Sequence, residues 1–379
     1  MARLGDVCIF QSGGTPSKSN DAYFGGTIPW ITTVALNGSV IGNENAVEWI
    51  TEQAIAESAA KIVPAKSIMV GTRVGVGKVA INTVPMSTSQ DIISLLQIDE
   101  SRWYKPFLCK FILSQSDYLN SQARGATIKG IKIDVLASLQ LPNMPIEQQK
   151  HIAAVLDQAD TLISLRKQQI AKLDELVKAR FVEMMKTSKL SDPTILEQIT
   201  ERVKVGFVGT CEKYYTDETG IPMLRTGNIT DHGISMDDLK YVTHDFHASN
   251  RKSQIHKGDI LIARHGSNGQ ANVYNGPEAQ CLNAVVIVPN QSIAKSVFLA
   301  GLINSPEVKQ QIDRTLVGST QHVVNTKSIA NLIVRIPSME VQEKYVAFVA
   351  QTDQQKLTIQ QSLDKLELMK KALMQKYFG

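Results

Sequence analysis

Ile28-Pro29-Trp30-Ile31-Thr32-Thr33 is echoed at residue 221 by Ile221-Pro222-Met223-Leu224-Arg225-Thr226, each opening on isoleucine-proline and closing on threonine. Four further echoes follow in the same order. Ser67-Ile68-Met69-Val70-Gly71-Thr72-Arg73 corresponds to Asp259-Ile260-Leu261-Ile262-Ala263-Arg264-His265, an apolar run that reads as a buried strand ending in a basic loop. Gly125-Ala126-Thr127-Ile128 corresponds to Gly318-Ser319-Thr320-Gln321, Leu141-Pro142 to Ile336-Pro337, and Leu173-Asp174-Glu175-Leu176 to Leu363-Asp364-Lys365-Leu366. The partners lie 190 to 195 residues apart, as their numbers show. Five ordered matches at nearly constant spacing indicate a tandem duplication, and a repeat has to be recognised before any fold is assigned.

Each half runs from short strands and polar loops into one long helical segment. Residues 146–186 contain no proline or glycine and keep apolar residues at four-three spacing, namely Ile152, Leu156, Ala159, Ile163, Ile170, Leu173, Val177 and Met184. Residues 341–378 repeat the pattern with Tyr345, Val349, Thr352, Ile359, Leu363, Leu366, Leu373 and Tyr377. Arg166 and Arg180 interrupt the first stripe, and Lys356 and Lys370 the second. At about 1.5 Å per residue each helix would span roughly 55 to 60 Å. Neither buries its stripe alone, so the two are expected to pack on each other, the other solution being that each packs on its own domain. The expected domains are 1–145 (recognition), 146–187 (helix), 188–339 (recognition) and 340–379 (helix).

Length and composition fit a globular protein of two or three domains, with 379 residues and 43% hydrophobic content. No apolar run approaches the roughly 20 residues of a membrane span, and the first residues do not read as a signal peptide, so a cytoplasmic location is expected. Cys8, Cys109, Cys211 and Cys281 are scattered, which points to reduced thiols and away from a zinc knuckle. A net charge of +4 permits nucleic-acid binding without requiring it.

The motifs of catalysis fail. Gly71-Thr72-Arg73-Val74-Gly75-Val76-Gly77-Lys78-Val79 departs from a phosphate-binding loop, with valine where a magnesium-holding hydroxyl belongs. No G-x-G-x-x-G, Pro-Pro-Tyr tetrapeptide, G-x-S-x-G or H-E-x-x-H occurs. His244 and His247 flank Asp245 but read as a surface pair without further ligands, so neither a metal nor a catalytic site is expected.

What remains is a set of polar loops with residues suited to base edges and phosphates. In the first half these are Thr32, Thr33, Arg73, Lys78, Arg124, Thr127 and Lys129; in the second, Arg225, Thr226, Asn228, Arg264, His265, Asn268, Ser319, Thr320, Gln321 and His322. A single glycine-rich loop more often only connects strands. Equivalent loops with different contents in both halves instead suggest one scaffold carrying two reading heads.

Taken together, Leu4-Gly5-Asp6-Val7 leading to Gly13-Gly14-Thr15-Pro16, then Ile28-Pro29-Trp30, Gly125-Ala126-Thr127-Ile128, and Leu141-Pro142 leading to Glu147-Gln148-Gln149 resemble the specificity subunit of type I restriction-modification systems. The second half departs from this pattern, with Val341-Gln342-Glu343 for Glu-Gln-Gln and no Gly-Gly-Thr-Pro. The resemblance implies an α+β fold of two similar α/β target-recognition domains joined by two helices in an antiparallel coiled coil, with an internal pseudo-two-fold repeat. It also implies double-stranded DNA with a bipartite target, two methyltransferase subunits docked on the helices, and motor-nuclease subunits joining through the complex. S-adenosylmethionine, ATP and magnesium would belong to those partners, with no cofactor on this chain. The helix-packing positions would be Ile152, Leu156, Ile163, Ile170, Leu173, Val177, Val349, Ile359, Leu363, Leu366 and Leu373. The contrasting reading, a non-enzymatic protein-binding adaptor with two duplicated domains on a helical rod, differs in predicting no steeply salt-dependent DNA binding.

Overall fold

The computed structural model describes residues 2–125, 129–230, 233–264, 269–316 and 323–379. It divides into two compact units, residues 1–166 with 362–379 and residues 167–361. The two long helices, Ile146–Thr187 and Met339–Phe378, are shared between these units and do not stand apart as a third.

In the first unit one sheet runs in the order Ile9–Ser12, Ile92–Leu96, Ile68–Gly71, Val79–Asn82, Val40–Ile41. The second unit repeats its first four strands as Thr200–Val205, Ala284–Pro289, Ile260–Ala263, Ala271–Val273. The other sheet of the first unit is Glu48–Ile50, Phe24–Ile31, Met86–Thr88, Ile62–Val63, and its counterpart is Lys240–Val242, Ile221–Leu224, Ala279–Cys281, Gln254–Ile255 with Tyr215–Thr216 added at one edge.

The duplication holds to the level of cross-strand register. Ile68 pairs with Ile81 and Leu95, and Ile260 pairs with Val273 and Ile287. Trp30 pairs in parallel with Ser87, and Met223 with Gln280. A one-residue slip in either repeat would turn its buried side chains to the opposite face. Ile68, Met69 and Val70, like Ile260, Leu261 and Ile262, are buried on both faces, which is why these strands read as continuous apolar runs.

The same glutamine anchors each long helix. Gln149, 1% exposed, accepts from the Tyr104 amide (2.9 Å) and donates to the carbonyls of Arg102 (3.0 Å) and Met144 (3.1 Å). Gln342, also 1% exposed, accepts from the Lys295 amide (3.0 Å) and donates to Ile293 (3.0 Å) and Pro337 (3.2 Å). Gln342 is thus the partner of Gln149, and Val341-Gln342-Glu343 aligns one residue away from the register suggested by Glu147-Gln148-Gln149.

Both packing solutions weighed for the helices are used, at different places. In the first unit Ile152, Ala153 and Leu156 sit in the recognition core beside Phe107 and Phe111, and Leu373, Met374, Tyr377 and Phe378 pack against that same core. Phe378 meets Phe107 and Phe111 at ring-centroid distances of 5.3 and 5.9 Å. In the second unit Phe181 and Met184 sit in the core with Phe298 and Tyr345, and Val177 and Val349 pack against it. Asp160 pairs with Lys370 in the first unit, and Asp174 with Lys356 (3.0 Å) in the second. In each unit, then, the two helix segments run antiparallel, as a coiled coil needs. Leu363 is buried, whereas Ile163, Ile170, Leu173, Ile359 and Leu366 are half-buried, since a two-helix layer cannot cover a whole stripe.

Two of the charges that break the stripes find partners on the opposing helix. Lys110, 4% exposed, donates to Asp157 and Asp160 at 2.8 Å each, and Asp160 also holds Lys370. Burial pulls the Lys110 ammonium down, but the two carboxylates outweigh it and leave its pKa above the ordinary lysine value. Burial pushes Asp160 up, and Lys110 and Lys370 reverse that, holding it below the usual carboxylate range.

Candidate nucleic-acid interface

Three of the loops singled out in the first half converge. The hairpin between Ile68–Gly71 and Val79–Asn82 turns through Gly75 and Gly77, at φ of 71° and 80°, where a side chain would be strained. It is closed by Gly71 N–H donating to Lys78 C=O (2.8 Å). The segment after Arg124 returns as Arg124 and Gly130 exchange backbone hydrogen bonds, and Ile131 N–H then donates to Thr72 C=O (2.8 Å). Thr33 lies against Gly71 on the other side. Arg73, Lys78, Arg124 and Lys129 are therefore exposed on adjoining loops of one unit. Among the described residues only Asp91 pairs with any of them, at 4.0 Å from Arg73, a half-exposed contact worth about 0 to 1 kcal/mol.

The second unit repeats the junction. Val324 N–H donates to Arg264 C=O (3.0 Å), and the Arg264 guanidinium reaches the Val324 carbonyl (3.4 Å). This equates Arg264 with Thr72, so the counterpart of Arg73 is His265. Arg225 is held by the carboxylate (3.0 Å) and carbonyl (2.8 Å) of Asp238, and the Thr226 hydroxyl faces the Asn283 carbonyl (3.5 Å).

Two of the proposed contacts move off this surface. Thr33 and Asn228 are each 4% exposed. Asn228 spends its side chain inside its loop, accepting from the Arg225 amide (3.0 Å) and donating to the Asp237 carbonyl (3.0 Å). These are cap contacts, and asparagine suits a cap as well as it suits adenine, so residue type alone did not separate the two roles. Thr32 is half-buried. Thr127, His265, Asn268, Ser319, Thr320, Gln321 and His322 lie outside the described residues.

His247 does not look toward His244. Its Nε2 lies 3.3 Å from Glu278 Oε1, which His256 Nε2 also approaches at 3.2 Å. Gln280 is oriented by the Ser253 hydroxyl on its oxygen and by the carbonyls of His247 and Asn250 on its nitrogen, so that nitrogen donates to His247 Nδ1 (3.1 Å). This fixes the Nε2–H tautomer of His247, which donates to Glu278 and leaves no lone pair for a metal. Among the described residues no cluster of histidine, cysteine, aspartate and glutamate is arranged to hold a metal ion. No helix among them is long and apolar enough to cross a membrane.

The model of the type I restriction modification DNA specificity domain matches twice, over residues 1–175 and 198–368. The chain belongs to this family. The two matches fall on the two repeats, each together with most of the long helix that follows it. Among curated relatives of the specificity-domain chain, the MjaIX specificity subunit of Methanocaldococcus jannaschii is 23% identical over 401 residues, covering 99% of this chain and 91% of that one. The EcoR124I/EcoR124II specificity subunit of Escherichia coli is 29% identical over 170 residues, covering 42% of this chain and 40% of that one. Among solved structures, the type I restriction-modification S subunit from M. genitalium superposes with a TM-score of 0.59 at 15% identity, over 100% of this chain and 95% of that one. A chain from a structure of type I R-M complex assembly and conformational transition gives 0.61 at 17% identity, over 100% and 96%. These likenesses show a shared fold, and the family matches make the chain a specificity subunit rather than a general adaptor.

Proposed function

We propose that each unit reads one half of a bipartite DNA target, that the paired helices set the number of unspecified bases between the halves, and that their outer faces dock two methyltransferase subunits. The observation that carries this reading is the combination of register-level identity of the two scaffolds with different residues in their convergent loops. Repeated scaffolds present loops in equivalent places, and different loop residues select different bases. Arg73, Lys78, Arg124 and Lys129 serve the first half-site, and Arg225, Thr226 and Arg264 the second. Docking of partners is supported by apolar side chains left uncovered on the helices, among them Leu162 and Leu368 in the first unit and Leu176 and Leu357 in the second. The chain itself carries no catalysis in this reading: S-adenosylmethionine, ATP and magnesium are bound by the methyltransferase and motor-nuclease subunits.

Exchange of the second recognition domain, residues 188–339, for that of a family member with a different target tests this directly. The methylated motif should change in one half only, with the other half and the spacer retained. A motif unchanged, or changed in both halves, contradicts the assignment.

A further inference from the structure

Besides their edge strands, the two repeats differ where one strand end meets a short helix. In the first unit Gly14 lies against the connection that follows the short helix Glu52–Glu57, and a Cβ at Gly14 would be driven into the carbonyl of Ala59 and the amide of Ala60. The equivalent position is Phe207: Gly14 N–H donates to Thr88 C=O (2.9 Å) as Phe207 N–H donates to Cys281 C=O (2.7 Å). The equivalent helix is His244–Ser249, capped by Thr243 as Thr51 caps the first, and it carries Phe246 where the first has Ala54. Phe207 and Phe246 meet edge to face at 5.0 Å. Two rings thus stand where the first unit has a glycine and an alanine.

The ring pair holds the strand edge and the helix connection apart. A cleft of about 550 Å³ opens between Val205–Val208 and Ala248–Ser253. Val205, Phe207 and Val208 line one side, and the other side carries Arg251 and Lys252 where the first unit has Ala59 and Ala60. No carboxylate lines it, and among the described residues neither cation has an ion-pair partner. Asn283 links the cleft wall to a candidate reading loop, its N–H donating to Phe207 C=O (3.0 Å) while its carbonyl faces the Thr226 hydroxyl.

We propose that this cleft is a DNA-backbone site belonging to the second unit alone, with Arg251 and Lys252 binding phosphodiester groups beside its half-site and Phe207 and Val208 covering the sugar edge. The proposal rests on the DNA-reading function and deepens it: the phosphate footprint is asymmetric although the scaffold is repeated. Two unpaired cations on an apolar concavity suit a polyanion with an apolar sugar face better than they suit an apolar protein surface.

The test is binding of the full chain to a duplex carrying its methylated motif, at about 50 and about 200 mM salt, for wild type and R251A/K252A. Neutralising two fewer phosphates should flatten the slope of log K against log salt by about 1.8, so that the advantage of wild type shrinks about 12-fold across that range. Discrimination between cognate and scrambled duplex should be retained, and R251K/K252R should restore the slope. Methylphosphonate substitution in the duplex should locate the lost contacts beside one half-site only. An unchanged slope at equal melting temperature overturns the cleft proposal and leaves the DNA-reading function standing; so does loss of assembly with partner subunits at unchanged slope, which would make the cleft a protein surface. Absence of salt-dependent duplex binding by wild type overturns both.

Discussion

Replacing Gln149 or Gln342 by leucine should destabilise the protein by nearly the same amount, although the two residues lie in different units. Each side chain makes three hydrogen bonds to backbone groups at the junction of helix and recognition domain, and each is 1% exposed. Leucine keeps most of the buried volume, so the cavity contribution is small. The loss is that of three backbone groups stranded without partners, at about 1 kcal/mol each, or about 3 kcal/mol per variant. For units of this size a loss of 1 kcal/mol lowers the melting temperature by about 2 to 4 °C, which gives about 6 to 12 °C. Differential scanning calorimetry reads this directly, with Gln149→Leu shifting the transition of the first unit and Gln342→Leu that of the second. A shift below 2 °C in either variant, or shifts differing by a factor of three, would refute the claim that the two glutamines are equivalent anchors.

Other outcomes follow from the same contacts. Phe181→Ala empties a ring site packed on Phe298 and Tyr345 and should cost about 3 to 5 kcal/mol, seen as a lowered urea midpoint for the second unit. Asp160 has its pKa depressed in the folded state, so its stabilisation is present above the ordinary carboxylate pKa and is lost as pH falls through the folded value; Asp160→Asn should flatten the acid limb of a melting-temperature profile and lower its neutral plateau. Burial, with Arg202 adding to it, lowers Lys204 to about 8, so the stability its charge costs is recovered as pH rises from about 8 toward about 10; Lys204→Met, which also strands the Gln254 carbonyl that Lys204 holds, should lack that rise in melting temperature. Arg73→Ala and Lys78→Ala should each reduce the salt slope of DNA binding by about 0.9 without lowering stability, whereas Asn228→Ala should lower stability first.

The repeat was legible because its landmarks are backbone devices. The isoleucine-proline strand entry and the apolar strand runs survive in both halves and serve the scaffold rather than the target, whereas the Leu-Asp-x-Leu match is three residues out of the helix register that Gln149 and Gln342 set, which pairs Leu173 with Leu366. The helix anchors were harder, because Glu-Gln-Gln and Val-Gln-Glu can be aligned in two registers and only the hydrogen bonds of Gln149 and Gln342 choose between them. The stripes revealed helices but not partners: Ile152 and Leu156 carry the same spacing as Leu173, yet they enter a domain core while Leu173 stays half-buried. Loop residue types overreached for Thr33 and Asn228, since threonine and asparagine also serve turns, and burial is set by the whole unit. The cleft was illegible because it comes from Phe246 together with Phe207, which lies in the stretch where the first half's Gly-Gly-Thr-Pro has no counterpart and alignment by motif fails. Arg251 and Lys252 gave no signal beyond two exposed cations.

In this reading one chain specifies a two-part DNA sequence. Methylome sequencing of host DNA with the gene intact and deleted, partner genes present in both, tests it most directly. Methylation should disappear from a single bipartite motif with a fixed spacer when the gene is removed. Loss of methylation at an uninterrupted motif, or an unaltered methylome from a system shown to be methylating, would contradict it.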